Sequence, residues 1–340
     1  MSEPKLHHTV PRFLLARFAG GDGALELIDR DDFRRVIPSA VPVALAVRHF
    51  YSRQTPSGAR DTRVEKMLST KIEGPAAEAI RRLVDRGRSI AGMGIRTPIG
   101  LFLAYQTVRG TGQRRATTDI HNLATRVAVA TAPVPVEVGE HRGPPISERD
   151  IVEVLELAQS GKYEVVRQRA ADLHLDSFGQ AIEIARVLEA RTWQLLEFRD
   201  PVLATCDEPV LHIGHNVHVP GDLVGLANAA AVAFTFDPRH ALMMVRPDLD
   251  RGHRRVGGSS EEAKVINTHV AFNAHRFIVR RPGTDPLAGL VVPKKAPLTA
   301  TLGNLVVTFP GGVSEATHAR VMAQLKRERA ARQRDGGRTR

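Results

Sequence analysis

From Asp61 onward, Val64, Leu68, Ile72, Ala76, Ile80 and Val84 fall at every fourth position. That spacing lines them along one face of an α-helix, and such a helix is stable in water only when another element covers the face. Asp61 supplies an N-cap, and the pattern carries to about Arg86. Gly74-Pro75 falls inside it. A proline there lacks an N–H and crowds the carbonyl four residues back, so a kink or a junction of two helices is expected.

The cover has to come from segments with other periods. Pro11 opens a short helix in which Val10, Phe13, Leu14 and Phe18 share a face. After the Gly20–Gly23 turn, Ala24–Arg30 alternates like a strand, and a second strand lies near Phe33–Ile37. Thr97-Pro98 opens a helix that ends at Gly110, Ala116–Ala130 is helical, and Thr131–Pro145, with four prolines, is a connection. Capping-box patterns at Ser147 and at Ser177-Phe178-Gly179-Gln180 open two more helices, the second running through Trp193 and Leu196. Beyond Asp200 the sequence reads as strands: Val202–Cys206, Val210–Ile213, and a hairpin of Ala231–Phe236 and Ala241–Val245 across Asp237-Pro238-Arg239-His240. Ser259 or Ser260 caps a helix through Phe272, Phe277–Val279 and Leu305–Phe309 are strands, and a last helix starts near Ser314. The expected fold class is α+β. Residues 1–200 form an N-terminal clasp and a largely helical body, 201–312 a mixed β region packed on it, and 313–340 a helix with a basic tail.

Composition narrows the setting. No run approaches the roughly 20 apolar residues that span a bilayer, and Met1–His8 has no signal-peptide core, so a cytoplasmic location without membrane contact is expected. The single cysteine, Cys206, excludes an internal disulfide and a cysteine-only metal cage. Of the net charge of +11, residues 326–340 carry +5, from seven basic and two acidic side chains. Nucleic acid or another polyanion is the partner that such charge favours; a merely solvated basic surface is the alternative.

Several polar residues stand where chemistry is possible. His7 and His8 are adjacent, and imidazole both transfers protons and ligates metals near neutral pH. Asp207 ends an apolar run before Pro209, a place that opens into a cleft or makes an Asx-turn. Glu65 and Glu73 would be about 12 Å apart on a straight helix, so only the kink lets them share a metal. Gln106 and Arg109, three apart on one helix, could grip a phosphate or carboxylate, or close the helix end. Asn273 stands one helical turn after His269. No phosphate loop, dinucleotide fingerprint, nucleophile elbow or HExxH pattern is present.

These residues also occur in a telling order: His-His-Thr-Val-Pro-Arg-Phe-Leu-Leu-Ala-Arg-Phe at 7–18, Phe50-Tyr51, Val64-Glu65 with Ile72-Glu73, Tyr105-Gln106 with Arg109, Trp193, and Thr205-Cys206-Asp207-Glu208-Pro209-Val210. Over roughly residues 5–282 the order resembles the bacterial family called domain of unknown function 4238. Its members share a His-His-x-Val-Pro opening, paired glutamates, a Gln-x-x-Arg helix, a Ser-Asp-Asn-Pro-Val-like turn and an Asn before a final strand, where Asn273 stands here. This chain keeps the Asp of that turn but replaces its neighbours by Cys206 and Glu208. The resemblance carries no established activity. Its residue types fit a metal-assisted hydrolase acting on a phosphodiester or nucleic acid. In that scheme His7, His8 and Asp207 are catalytic, Gln106, Arg109 and Asn273 bind substrate, and His8, Asp207, Glu65 and Glu73 surround a divalent metal. The rival is a non-enzymatic interaction module, with the histidine segment as a structural clasp whose imidazoles are buried and bonded to backbone. A stress or phage-defence component whose basic tail recruits nucleic acid is a third reading.

Overall fold

A computed structural model describes residues 6–48, 50, 53–54, 60–61, 63–110, 177–218, 220, 224–250, 252–291, 296–302 and 305–313. The elements expected at 116–130, 131–145, after Ser147 and after Ser314 lie outside the described residues.

The chain begins with strand β1 (Leu6–His8), helix α1 (Arg12–Phe18), strands β2 (Ala24–Asp29), β3 (Asp32–Ala40) and β4 (Ala46–Arg48), and the short pair β5 (Arg53–Gln54) and β6 (Arg60–Asp61). Helix α2 (Arg63–Met67) runs through wide π-type turns at Leu68–Glu73 into α3 (Gly74–Ile80) and a further π-type stretch, Arg81–Asp85. Next come α4 (Met93–Arg109), a tight turn at Ser177–Gln180, α5 (Ala181–Glu189), β7 (Thr192–Glu197), β8 (Thr205–Cys206), β9 (Leu211–Ile213), β10 (Ala231–Asp237), β11 (His240–Val245) and β12 (Arg254–Gly257). The described chain closes with α6 (Ser260–Asn273), β13 (Phe277–Arg280), β14 (Ala296–Leu302) and β15 (Leu305–Val313).

Strand alternation divides the core. In β10, Val232, Phe234 and Phe236 point to one side of a five-stranded sheet ordered β12-β7-β11-β10-β9, and Ala231 and Ala233 to the other. On the first side they meet Leu14, Leu15 and Phe18 of α1, Ile72, Ala76 and Ile80 of the helical stretch, and Phe102 of α4. Phe102 and Phe234 pack edge to face, 5.9 Å between ring centres. On the second side lie Ile266, Val270 and Ala271 of α6. A four-stranded sheet, β3-β2-β13-β8, joins the first and last thirds of the chain by pairing Ile28 with Ile278. Ser259 caps α6 through the reciprocal bonds with Glu262 that define a capping box.

Both helices and sheets are substantial, so the fold is α+β, but the N-terminal part is not largely helical. Up to Asp61 it builds strands around one short helix, and the helical body begins at Arg63. The kink expected at Gly74-Pro75 takes a definite form. The Gly74 N–H bonds to the Ser69 carbonyl, five residues back, and the wider turns accommodate the proline at the start of α3. Helix α4 starts one turn before Thr97-Pro98, because Ile95 joins the buried face.

Trp193 and Leu196 belong to β7, not to a helix. In Trp-Gln-Leu-Leu both sheet faces are covered, so the apolar run has no clear period and matches a helix as well as a strand. The indole Nε1–H donates to the Leu188 carbonyl at 2.8 Å, closing the end of α5 on which the run was expected to continue. Among the described residues, no helix is long and apolar enough to cross a membrane.

Candidate functional site

In a strand, alternate residues share a face, so β1 sends His7 inward and His8 the other way, and Thr9, just past the strand, is inward again. Antiparallel pairing with β4 fixes this register, with His7 opposite Val47. His7 is fully buried, its Nδ1 3.9 Å from Glu65 Oε2. His8 is half-buried, and its Nε2 lies 3.1 Å from the Pro42 carbonyl oxygen. A carbonyl only accepts, so Nε2 carries the proton and donates. Burial holds the His8 imidazole below its ordinary pKa, with the Pro42 bond acting in the opposite direction.

The last turn of α4 reaches into this segment. Gln106 Nε2 donates to the Thr9 carbonyl at 2.8 Å. Arg109 donates through Nε to the same carbonyl at 3.0 Å, through Nη2 to the His8 carbonyl at 3.0 Å, and through Nη1 to Glu73 Oε1 at 2.6 Å. Both α4 side chains are almost wholly buried. Thr9 is gripped from its other end too, where its N–H and hydroxyl both donate to the Leu45 carbonyl at 3.2 Å. The structure thus gathers His7, His8, Glu65, Glu73, Gln106 and Arg109 from three sequence regions into one polar cluster.

Asp207 and Asn273 serve a different junction. The Asp207 carboxylate accepts the backbone N–H groups of His275 and Arg276 at 2.8 Å and of Phe277 at 3.0 Å, fixing the turn between α6 and β13. Burial pushes its carboxyl up, against the downward pull of those three donors. Asn273 donates to the Glu208 and Val210 carbonyls. The turn touches α4 through its neighbour, since the Glu208 carboxylate occupies the space a Cβ on Gly110 would need.

The ligand set His8, Asp207, Glu65 and Glu73 does not assemble. Asp207 faces the 275–277 amides, Glu73 faces Arg109 and His8 faces Pro42. Among the described residues, no group of three His, Cys, Asp or Glu side chains is arranged to hold a metal ion. Sequence reasoning missed Thr9, whose carbonyl is the focus of the cluster. Strand alternation was the available signal, since it places Thr9 on the same face as His7.

Glu65 is an unusually weak acid. Burial, helped by the Glu73 charge and opposed by Arg109, raises its carboxyl to about 7. Because this lies above the value of 4.5 for an unperturbed carboxyl, ionised Glu65 disfavours the folded state. Stability is therefore lost as pH rises from about 4.5 through 7, and the loss is complete above that. With solvent reaching part of the side chain, Glu65→Gln should gain roughly 2 kcal/mol at pH 8 and almost nothing at pH 4. Urea denaturation at the two pH values measures both; an equal effect at both would remove Glu65 as the source.

No curated protein and no solved structure matches the chain. A family profile described as a protein of unknown function does match, over residues 6–284, a span that holds the histidine segment, the glutamates, the α4 clamp and the Asp207 turn. The chain belongs to that family, DUF4238.

Proposed function

We propose that this protein acts by binding a polyanionic partner, with the His-His-Thr-Val-Pro segment as a structural clasp. One observation carries the reading. Gln106 and Arg109, the side chains best suited to grip a substrate, donate to the chain's own carbonyls at His8 and Thr9. The net charge of +11, with +5 of it in residues 326–340, supports a polyanion. Removing those residues should weaken nucleic-acid binding and flatten its dependence on salt. Unchanged binding would take the tail out of the interaction.

A specific observation favours a second reading, a hydrolase acting on a phosphodiester. Glu65, raised to about 7, stands beside His7 in the range useful for proton transfer at neutral pH. One screen separates the two. The purified chain and a His7→Ala, His8→Ala variant are incubated with phosphodiester substrates and Mg²⁺, Mn²⁺ or Zn²⁺. The binding reading expects only background turnover from both. Metal-dependent hydrolysis that disappears in the variant overturns it.

A further inference from the structure

Away from the clasp, three turns surround a cavity of about 310 Å³: the end of α1, the β10–β11 turn and the residues after β13. Its lining is Arg17, Asp237, Pro238, Arg239, His240 and Arg281. We propose that this cavity binds a phosphate monoester of small-molecule size. The proposal stands whether the histidine cluster is a clasp or a catalytic site.

Asp237 organises the floor. Its Oδ1 accepts the Arg239 N–H and His240 Nδ1, each at 2.8 Å, and its Oδ2 accepts Arg17 Nη2 at 2.9 Å. Arg17 is held from its other side by Asp85, at 2.7 Å. Two carboxylates thus fix the guanidinium, yet its Nε–H is buried with no hydrogen-bond partner among the described residues. Arg239 and Arg281 are exposed at the rim, and neither pairs with a carboxylate among the described residues. Arg239 instead donates to the Arg199 carbonyl, which leaves its charge uncompensated.

These features select the ligand. Uncompensated guanidinium groups from separate turns suit an anion with several oxygens around one centre, because each planar fork can take an oxygen pair. A monoester presents three free oxygens and up to two charges, whereas a phosphodiester has two of its oxygens esterified and one charge. The volume lies at the small end of ligand sites, enough for a phosphate and a modest substituent.

Calorimetric titration of the full chain with inorganic phosphate and adenosine 5′-monophosphate tests the proposal, with adenosine and an oligonucleotide lacking terminal phosphates as controls. Saturable one-to-one binding of both phosphates is expected, weakened at least about tenfold in an Arg239→Ala, Arg281→Ala variant. Both side chains are exposed, so the variant should keep the wild-type melting temperature, which is measured alongside. Three results would overturn the proposal: no saturable phosphate binding at millimolar ligand, equal binding by the folded variant, or oligonucleotide binding through the same two arginines.

Discussion

Arg109→Ala should destabilise the protein by about 4 kcal/mol, the largest effect expected from any polar substitution here. The guanidinium is almost fully buried and ties α4 to two other segments, the His8-Thr9 end of β1 through their carbonyls and the π-type stretch through Glu73. Truncation leaves the Glu73 carboxylate without this partner and removes donors from the His8 and Thr9 carbonyls. Arg109→Lys should recover little, because an ammonium cannot reproduce a planar fork whose Nε, Nη1 and Nη2 each reach a different acceptor. Urea unfolding of both variants measures this. A native midpoint for Arg109→Ala would mean that the clasp does not depend on α4.

Asp207→Ala comes second, at about 3 kcal/mol. Its carboxylate satisfies three consecutive backbone N–H groups, and alanine leaves all three without that acceptor in a part-buried turn. Hydrogen exchange adds a local readout. The amides of His275, Arg276 and Phe277 should lose protection more than those in the middle of β10. A uniform loss would show that the turn is not the element Asp207 holds. Asp207→Asn should lie between wild type and alanine, since an amide keeps one acceptor but turns two donors toward other donors.

Local signals were legible in the sequence. The β10–β11 hairpin, the capped α6, the opening helix after Pro11 and the four-residue period from Val64 all follow from side-chain patterns a few residues long. The family order also named the polar residues of the α4 cluster. Their partners were not legible, because histidine, glutamate and arginine suit a metal site and a backbone clamp equally well. The deciding acceptors are main-chain carbonyls at His8, Thr9 and Pro42, which carry no sequence signature. The acceptor of Arg109 Nε is 100 residues away, and the donors to Asp207 are 68 to 70 residues away. Strand β7 failed for a different reason: burial on both faces erases the alternation that identifies a strand.

The pairing of β2 with β13 bears on how the chain comes into being. Ile28 lies opposite Ile278, and Arg280 bonds Glu26 across the same ladder. During synthesis β2 can close its local hairpin with β3 at once, but its other edge has to wait until about 250 further residues have been made. Through that interval an apolar strand edge with Leu25, Leu27 and Ile28 stands open to any extended segment nearby. The last described third of the chain therefore acts as the lid that ends a vulnerable period, and folding should be slow for the chain's size because this closure is so non-local. Ribosomes stalled before residue 277 would carry nascent chains that recruit chaperones or aggregate, whereas stalling well past Arg280 would release that demand.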